Sequence, residues 1–194
     1  MITGDEGRFA NRPYGKRKSV GRLIGVFNED KTMNENLVWY VAYGSNILRE
    51  RFLVYINGGS FRGSGKSYTG CTCKTPPIKD KPFTVPYELY FGNSSRSWGG
   101  KGVAFIDPNK ESVTRGRAYL ITLAQFEEIQ KQEGSSPNWY GRTVQMGCDE
   151  NKIPYRTFTS KIRHPDNAPS DEYLAVIEEG LQELAVVHPN YREG

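Results

Sequence analysis

The chain has 194 residues, 37% of them hydrophobic and 25% charged, with a net charge of +4, the composition of one globular domain. It holds no apolar run of membrane-spanning length, and its N-terminus lacks the apolar core of a secretory signal, so a cytoplasmic location is expected. Residues 1–32 carry seven Lys/Arg against four Asp/Glu, a net +3, leaving +1 for the rest, which argues against a nucleic-acid footprint spread over the body.

In chain order, residues 1–35 are polar and basic and read as a flexible N-terminal extension, with the domain occupying 36–194. "LVWYVAY" (37–43) is apolar throughout, the mark of a strand buried on both faces. "NILRERFLVYI" (46–56) places Ile47, Phe52, Leu53 and Ile56 at roughly helical spacing. Residues 57–82, rich in Gly, Ser, Thr, Lys and Pro, read as a long loop excursion. "FTVPYELYFG" (83–92) predicts a strand whose Pro86 requires an edge or a bulge. "GVAFIDP" (102–108) and "RGRAYLITL" (115–123) predict two further strands.

Thr122 then starts a helix with the capping-box pattern T-x-x-Q to Gln125, ending at Glu133 with Gly134 in the position that glycine favours. "YGRTVQMG" (140–147) and "PYRTFTSK" (154–161) alternate as strands. Ser170 caps a last helix with an expected apolar stripe of Leu174, Ile177, Leu181 and Leu184. Six strands and three helices without regular alternation exclude a doubly wound parallel sheet. They predict an α+β fold with a mixed, mainly antiparallel sheet.

The three cysteines do not form a disulfide framework or a metal-ligand pattern, and both histidines, His164 and His188, precede proline. "GGSFRGSGKS" (58–67) nearly matches a phosphate loop. Its first glycine position is Ser60, however, and the segment that follows cannot start a helix. It reads as a glycine-rich surface segment. With the basic tail, it is the sole support for a nucleotide- or nucleic-acid-binding reading.

Two features carry chemistry. "YGSN" (43–46) joins a strand to a helix. Gly44 permits unusual backbone angles, Ser45 or Asn46 suits a helix cap, and free N–H groups at a helix start attract anions. An ordinary capped turn and an anion site both fit. Glu133 stands in the last turn of its helix, at the negative end of the dipole. There, partial burial would raise its proton affinity toward the range useful for proton transfer. A solvated helix end is the other reading.

The order of "YVAYGSN" (40–46), "YFGNSSRSWGGKGVAFID" (90–107), "QEG" (132–134) and Trp139-Tyr140 resembles the gamma-glutamylcyclotransferase family over about residues 37–160. The longer 57–82 excursion and the basic tail depart from the compact members. The resemblance implies a small mixed β-barrel with flanking helices. It also implies Glu133 as the catalytic acid–base group, and no metal and no cofactor. The gamma-glutamyl portion is expected at Gly44, Ser45 and Asn46, with Tyr40, Val41, Ala42 and Tyr43 lining that side. Tyr140 is expected as a hydroxyl donor near Glu133, and Asn93, Trp98 and Phe158 as pocket walls. The expected activity is cleavage of a gamma-glutamyl amine or peptide with release of 5-oxoproline. The alternative is a non-catalytic relative that binds a carboxylate-bearing small molecule in the same pocket. The expected partner is a small-molecule substrate, with no membrane and no nucleic acid. The geometry that the resemblance requires is a Gly44–Asn46 turn and a Glu133 carboxylate on one cavity.

Overall fold

The strand β1 (Leu37–Ala42) alternates its side chains between two cores, which is why its sequence is apolar at every position. Val38, Tyr40 and Ala42 join one cluster with Phe52, Tyr119, Phe126 and Phe158. Trp39, Val41 and Tyr43 join the other with Phe105, Ala118 and Tyr155. The structure is a computed structural model and describes residues 36–189. The basic extension expected over 1–35 lies outside the described residues.

After β1 come a 3-10 turn (Ser45–Ile47), α1 (Arg49–Asn57), and the short pair β2 (Gly59–Ser60) and β3 (Ser67–Tyr68). Then follow β4 (Lys79–Ser95), β5 (Lys101–Thr122), α2 (Leu123–Glu133), β6 (Arg142–Cys148), β7 (Pro154–Thr159) and α3 (Asp171–Val187). The main sheet has the order β4-β5-β1-β7-β6. β1 runs antiparallel to β5 and parallel to β7, and the other pairs are antiparallel. This is the mixed, mainly antiparallel α+β architecture expected; the pairings among the described residues give a five-stranded sheet with β4 and β6 at the ends of its order and do not themselves show the closure of a barrel.

Two expected strands, 102–108 and 115–123, are one strand, β5. It pairs with β4 as a long ribbon whose register jumps from Tyr87↔Glu111 to Glu88↔Asp107. Residues 108–110 bulge out there, so Pro108 needs no ladder N–H, and the Asn109 amide donates to the Asp107 carboxylate at 3.0 Å. β4 begins inside the expected loop excursion. It tolerates Pro82 and Pro86 because it is an edge strand, and Pro86 sits at a register shift. The turn between β4 and β5 uses Gly99 and Gly100 at φ of +63° and +77°.

The capping box of α2 is formed: the Gln125 amide donates to the Thr122 hydroxyl, and the Thr122 amide to the Gln125 side chain. α3 is capped by Ser170. Of the expected stripe, Leu184 is buried and Ile177 and Leu181 pack partly buried on the core, but Leu174 is 41% exposed, and Tyr173, Val176 and Gly180 complete the buried face. Gly180 sets that face. A Cβ there would lie 2.4 Å from the Leu48 amide nitrogen, so α3 packs on the turn before α1 at backbone distance.

No helix among the described residues is long and apolar enough to cross a membrane. All three cysteines are free. Cys71 is buried, and burial pushes its thiol up to about 12, while a hydrogen bond with Thr75 lowers that of exposed Cys73. Maleimide labelling of the native protein is therefore expected to reach Cys73 and Cys148 promptly and Cys71 only after denaturation. Prompt labelling of all three would contradict the packing of Cys71 under α1.

Candidate active site

The junction after β1 is fixed from below by buried polar groups. Arg117, 1% exposed, is held by Asp80 and Glu183 and donates to the Ile47 carbonyl at 3.2 Å. The Tyr119 hydroxyl reaches the carbonyls of Asn46 (3.0 Å) and Ile47 (3.1 Å). These bonds satisfy the carbonyls of the turn and hold it against β5.

Neither Ser45 nor Asn46 caps a helix, contrary to the sequence expectation. The residue preceding the 3-10 turn is Gly44 and that preceding α1 is Leu48, both without side-chain cap bonds. Gly44 is also not in the left-handed region, with φ at −119°. Close approach requires glycine there: a Cβ would lie 2.8 Å from the Tyr173 hydroxyl and 3.1 Å from the Ala104 Cβ. The Asn46 side chain, free of capping duty, donates through Nδ2 to Glu133 Oε1 at 2.7 Å and to the Tyr40 hydroxyl at 3.1 Å. Its Oδ1 is buried and has no hydrogen-bond partner among the described residues.

Glu133 is the last residue of α2. The helix stops there because Gly134 takes φ +106° and its amide caps back to Gln130 and Lys131. The Gly134 carbonyl then accepts from the Tyr140 amide at 2.9 Å, while Gln130 Nε2 donates to the Tyr140 carbonyl at 2.7 Å. The loop 135–139 is thereby folded back against the end of the helix.

Glu133 is half-buried and faces one cavity of about 820 Å³ together with Tyr40, Tyr43, Gly44, Ser45 and Asn46. The geometry required by the resemblance is therefore present. Trp98, Tyr140 and Phe158 also line the cavity. Val41 and Ala42 do not, because both are packed into the cores on either side of the sheet. Asn93 is not part of the lining either. At φ +58° its Nδ2 donates to the Asn138 carbonyl at 3.0 Å and its Oδ1 accepts from the Ser94 amide, so it braces the rim. Tyr140 does not direct its hydroxyl at Glu133, since that hydroxyl donates to the Ala104 carbonyl at 3.0 Å. The Tyr43 hydroxyl likewise donates to the Phe158 carbonyl at 2.7 Å.

Burial raises the proton affinity of Tyr40, Tyr43, Tyr140 and Tyr173, and the charge of Glu133 raises it further. These phenols stay protonated at neutral pH and cannot serve as bases there. Glu133 is the carboxylate of the cavity lining. Among the described residues no cluster of three His, Cys, Asp or Glu side chains is placed to hold a metal ion.

Several lining residues were not anticipated. Arg51 and Tyr55 project from α1 and Tyr173 from α3, while Ser64, Gly65, Lys66 and Tyr68 come from the 57–82 excursion. The near-phosphate-loop segment thus borders the cavity, although it is followed by strand β3 and not by a helix. The i, i+4 spacing of Arg51 and Tyr55 was visible in "RERFLVYI" as a shared helix face. The excursion carried no such signal.

No protein-family model matches the chain. A curated relative, Histone deacetylase 5 of Arabidopsis thaliana, is 34% identical over 166 residues, an alignment covering 70% of this chain and 25% of the relative. The chain thus spans about a quarter of the length of that protein. Among solved structures, a gamma-glutamyl cyclotransferase superposes with a TM-score of 0.56 at 20% identity, covering 77% of this chain and 81% of its own. An uncharacterized Homo sapiens protein, loc79017, gives 0.56 at 21% identity, over 78% and 82%. YkqA of Bacillus subtilis gives 0.51 at 19% identity, over 81% of this chain and 52% of its own. The motif order in the sequence and these superpositions agree: the chain has the gamma-glutamyl cyclotransferase-like fold.

Proposed function

We propose that the domain is a gamma-glutamyl cyclotransferase that releases 5-oxoproline and a free amine from a gamma-glutamyl amide. The observation that carries this reading is the 2.7 Å bond joining the Asn46 side chain to the Glu133 carboxylate at one cavity. It couples a substrate-holding turn to a proton-transfer group.

The substrate's α-amine attacks its own γ-carbonyl carbon. A C–N bond forms and closes a five-membered ring, and the original amide C–N bond then breaks. Both reacting groups belong to one molecule, so the site's main task is to hold a bent conformer. Orientation of this kind lowers a barrier by about 7–11 kcal/mol. A free α-amine has a reference pKa of about 7.7–8.0, so at neutral pH a base must take its proton before attack. Glu133 takes that proton and delivers it to the departing nitrogen. As the ring closes it takes the second proton that the attacking nitrogen loses in becoming a lactam N–H and passes it to the released amine, so the carboxylate is restored and the amine leaves as its ammonium. Water is neither consumed nor released.

In this reading the Asn46 Oδ1, which has no partner among the described residues, accepts from the α-ammonium and fixes the amine before deprotonation. The Gly44–Asn46 turn receives the α-carboxylate of the gamma-glutamyl portion. The test is a panel of gamma-glutamyl amides, including glycine, alanine and alkylamine derivatives, scored for 5-oxoproline and for the released amine in equal amounts. Ligand binding without 5-oxoproline from any member would replace this reading with that of a carboxylate-binding pocket without turnover.

A further inference from the structure

The cavity is lined by three cations, Arg51, Lys66 and Arg96, against the one carboxylate of Glu133. Arg51 is 4% exposed. Its Nη2 donates to the Tyr55 hydroxyl at 2.9 Å and to the Tyr68 hydroxyl at 2.6 Å. Its Nε and Nη1 are buried and have no hydrogen-bond partner among the described residues. The carboxylate that shares the cavity bonds Asn46 instead. A buried guanidinium with idle donors is costly unless an anion completes it.

The surroundings orient this group, and the charge of Glu133 favours its cationic form without bonding its idle donors. The rings of Tyr55, Phe61 and Tyr68 stand 4.7, 5.4 and 4.8 Å from its central carbon, which supplies cation–π contact and blocks rotation. Lys66 approaches the same Tyr68 ring at 4.5 Å, so a second cation stands on the excursion side. The excursion is tied to the catalytic helix by Gln132, whose side chain accepts from the Gly70 amide at 3.0 Å and donates to the Tyr55 carbonyl at 3.0 Å. Gln132 is the neighbour of Glu133, so this basic group and the proton-transfer group belong to one braced wall.

We infer that Arg51, assisted by Lys66, forms a second anion subsite that binds a carboxylate carried by the leaving amine and makes that carboxylate a determinant of specificity. This rests on the cyclotransferase reading above, in which the Gly44–Asn46 turn takes the carboxylate of the gamma-glutamyl portion. A fork of idle N–H donors suits a planar carboxylate. The cationic excess of the lining repels a polyamine leaving group.

The experiment compares gamma-glutamylglycine with gamma-glutamyl-methylamide, which lacks the second carboxylate. Binding is read by calorimetry in Glu133→Gln, which leaves both ligands intact, and initial rates are read in the wild-type chain. Gamma-glutamylglycine is expected to bind at least about tenfold more tightly, the effect of a charge-assisted bond. In the Arg51→Gln form of the same protein that preference falls toward unity. Lys66→Gln, a change at an exposed loop position, reduces it in part and keeps the test usable if Arg51→Gln does not fold. Equal binding of the two ligands, or equal weakening of both by Arg51→Gln, overturns the subsite, because the guanidinium would then hold the shared gamma-glutamyl part or nothing. A clear preference with no 5-oxoproline formed leaves the subsite standing and removes the cyclotransferase reading. Turnover of both ligands with equal efficiency does the reverse.

Discussion

Glu133→Gln is expected to abolish measurable 5-oxoproline release while the protein still folds and still binds its gamma-glutamyl ligand. The substitution is close to isosteric. The carbonyl oxygen of a glutamine can accept the 2.7 Å bond from Asn46 Nδ2 as the carboxylate does. The residue is half-buried at a helix end, so the cost in stability is expected to stay within about 1 kcal/mol. What disappears is the proton acceptor. A positioned general base contributes about 10²–10⁴-fold, and here one carboxyl group serves both the attack and the departure. A fall of about 10³-fold or more in kcat is therefore expected, with an unchanged circular dichroism spectrum as the control for folding. Neither Tyr40 nor Tyr140 can substitute, since burial and the negative charge of Glu133 hold both phenols protonated. Full activity in Glu133→Gln would remove the assignment of this residue and, with it, the mechanism.

The parts of the fold legible in the sequence were those governed by local rules. β1 announced itself because a central strand must be apolar on both faces, and α2 because Thr122 and Gln125 make a reciprocal cap that needs no tertiary information. Where the reading failed, a distant partner had decided the outcome. Leu174 was expected inside and is exposed, because Gly180 brings α3 against Ile47 and Leu48 at backbone distance and the face centred there takes in Tyr173 and Val176 beside Ile177 and Leu184. The single long β5 could not be read through Pro108, since the bulge that accommodates it exists only opposite β4.

The candidate site divides in the same way. Glu133 and the "YGSN" turn each also fit an ordinary element boundary, and it was the motif order of the resemblance that singled them out; the structure places both on one cavity. The cap offered to Ser45 or Asn46 does not form, and the partners that Asn46 takes instead, Tyr40 and Glu133, lie on two other elements. Arg51 was not singled out in the sequence. Its importance depends on burial beneath Tyr68, a residue of an excursion with no periodicity to read.

Gly44→Val tests the other half of the site. The glycine is required by space and not by backbone angle, so the penalty scales with side-chain size. A Cβ alone would press to 2.8 Å from the Tyr173 hydroxyl and 3.1 Å from the Ala104 Cβ. Tyr173 is 3% exposed and its hydroxyl accepts from the Ala104 amide at 3.1 Å, so it has little room to withdraw. Ala104 lies on β5 and moves only with the sheet. Overpacking of this kind costs about 1–3 kcal/mol, and valine adds two branches that alanine lacks. The strain is expected to displace the turn, because the carbonyls beyond it are fastened to Tyr119 and Arg117 while the cavity side is open. Displacement carries Asn46 away from Glu133. The expected result is a rise in KM of about tenfold or more for gamma-glutamyl substrates, with Gly44→Ala intermediate and kcat less affected than KM. That split is the signature of lost binding common to ground and transition states. A folded Gly44→Val protein with an unchanged KM would mean that the turn only joins a strand to a helix, and that the gamma-glutamyl portion is held elsewhere in the cavity.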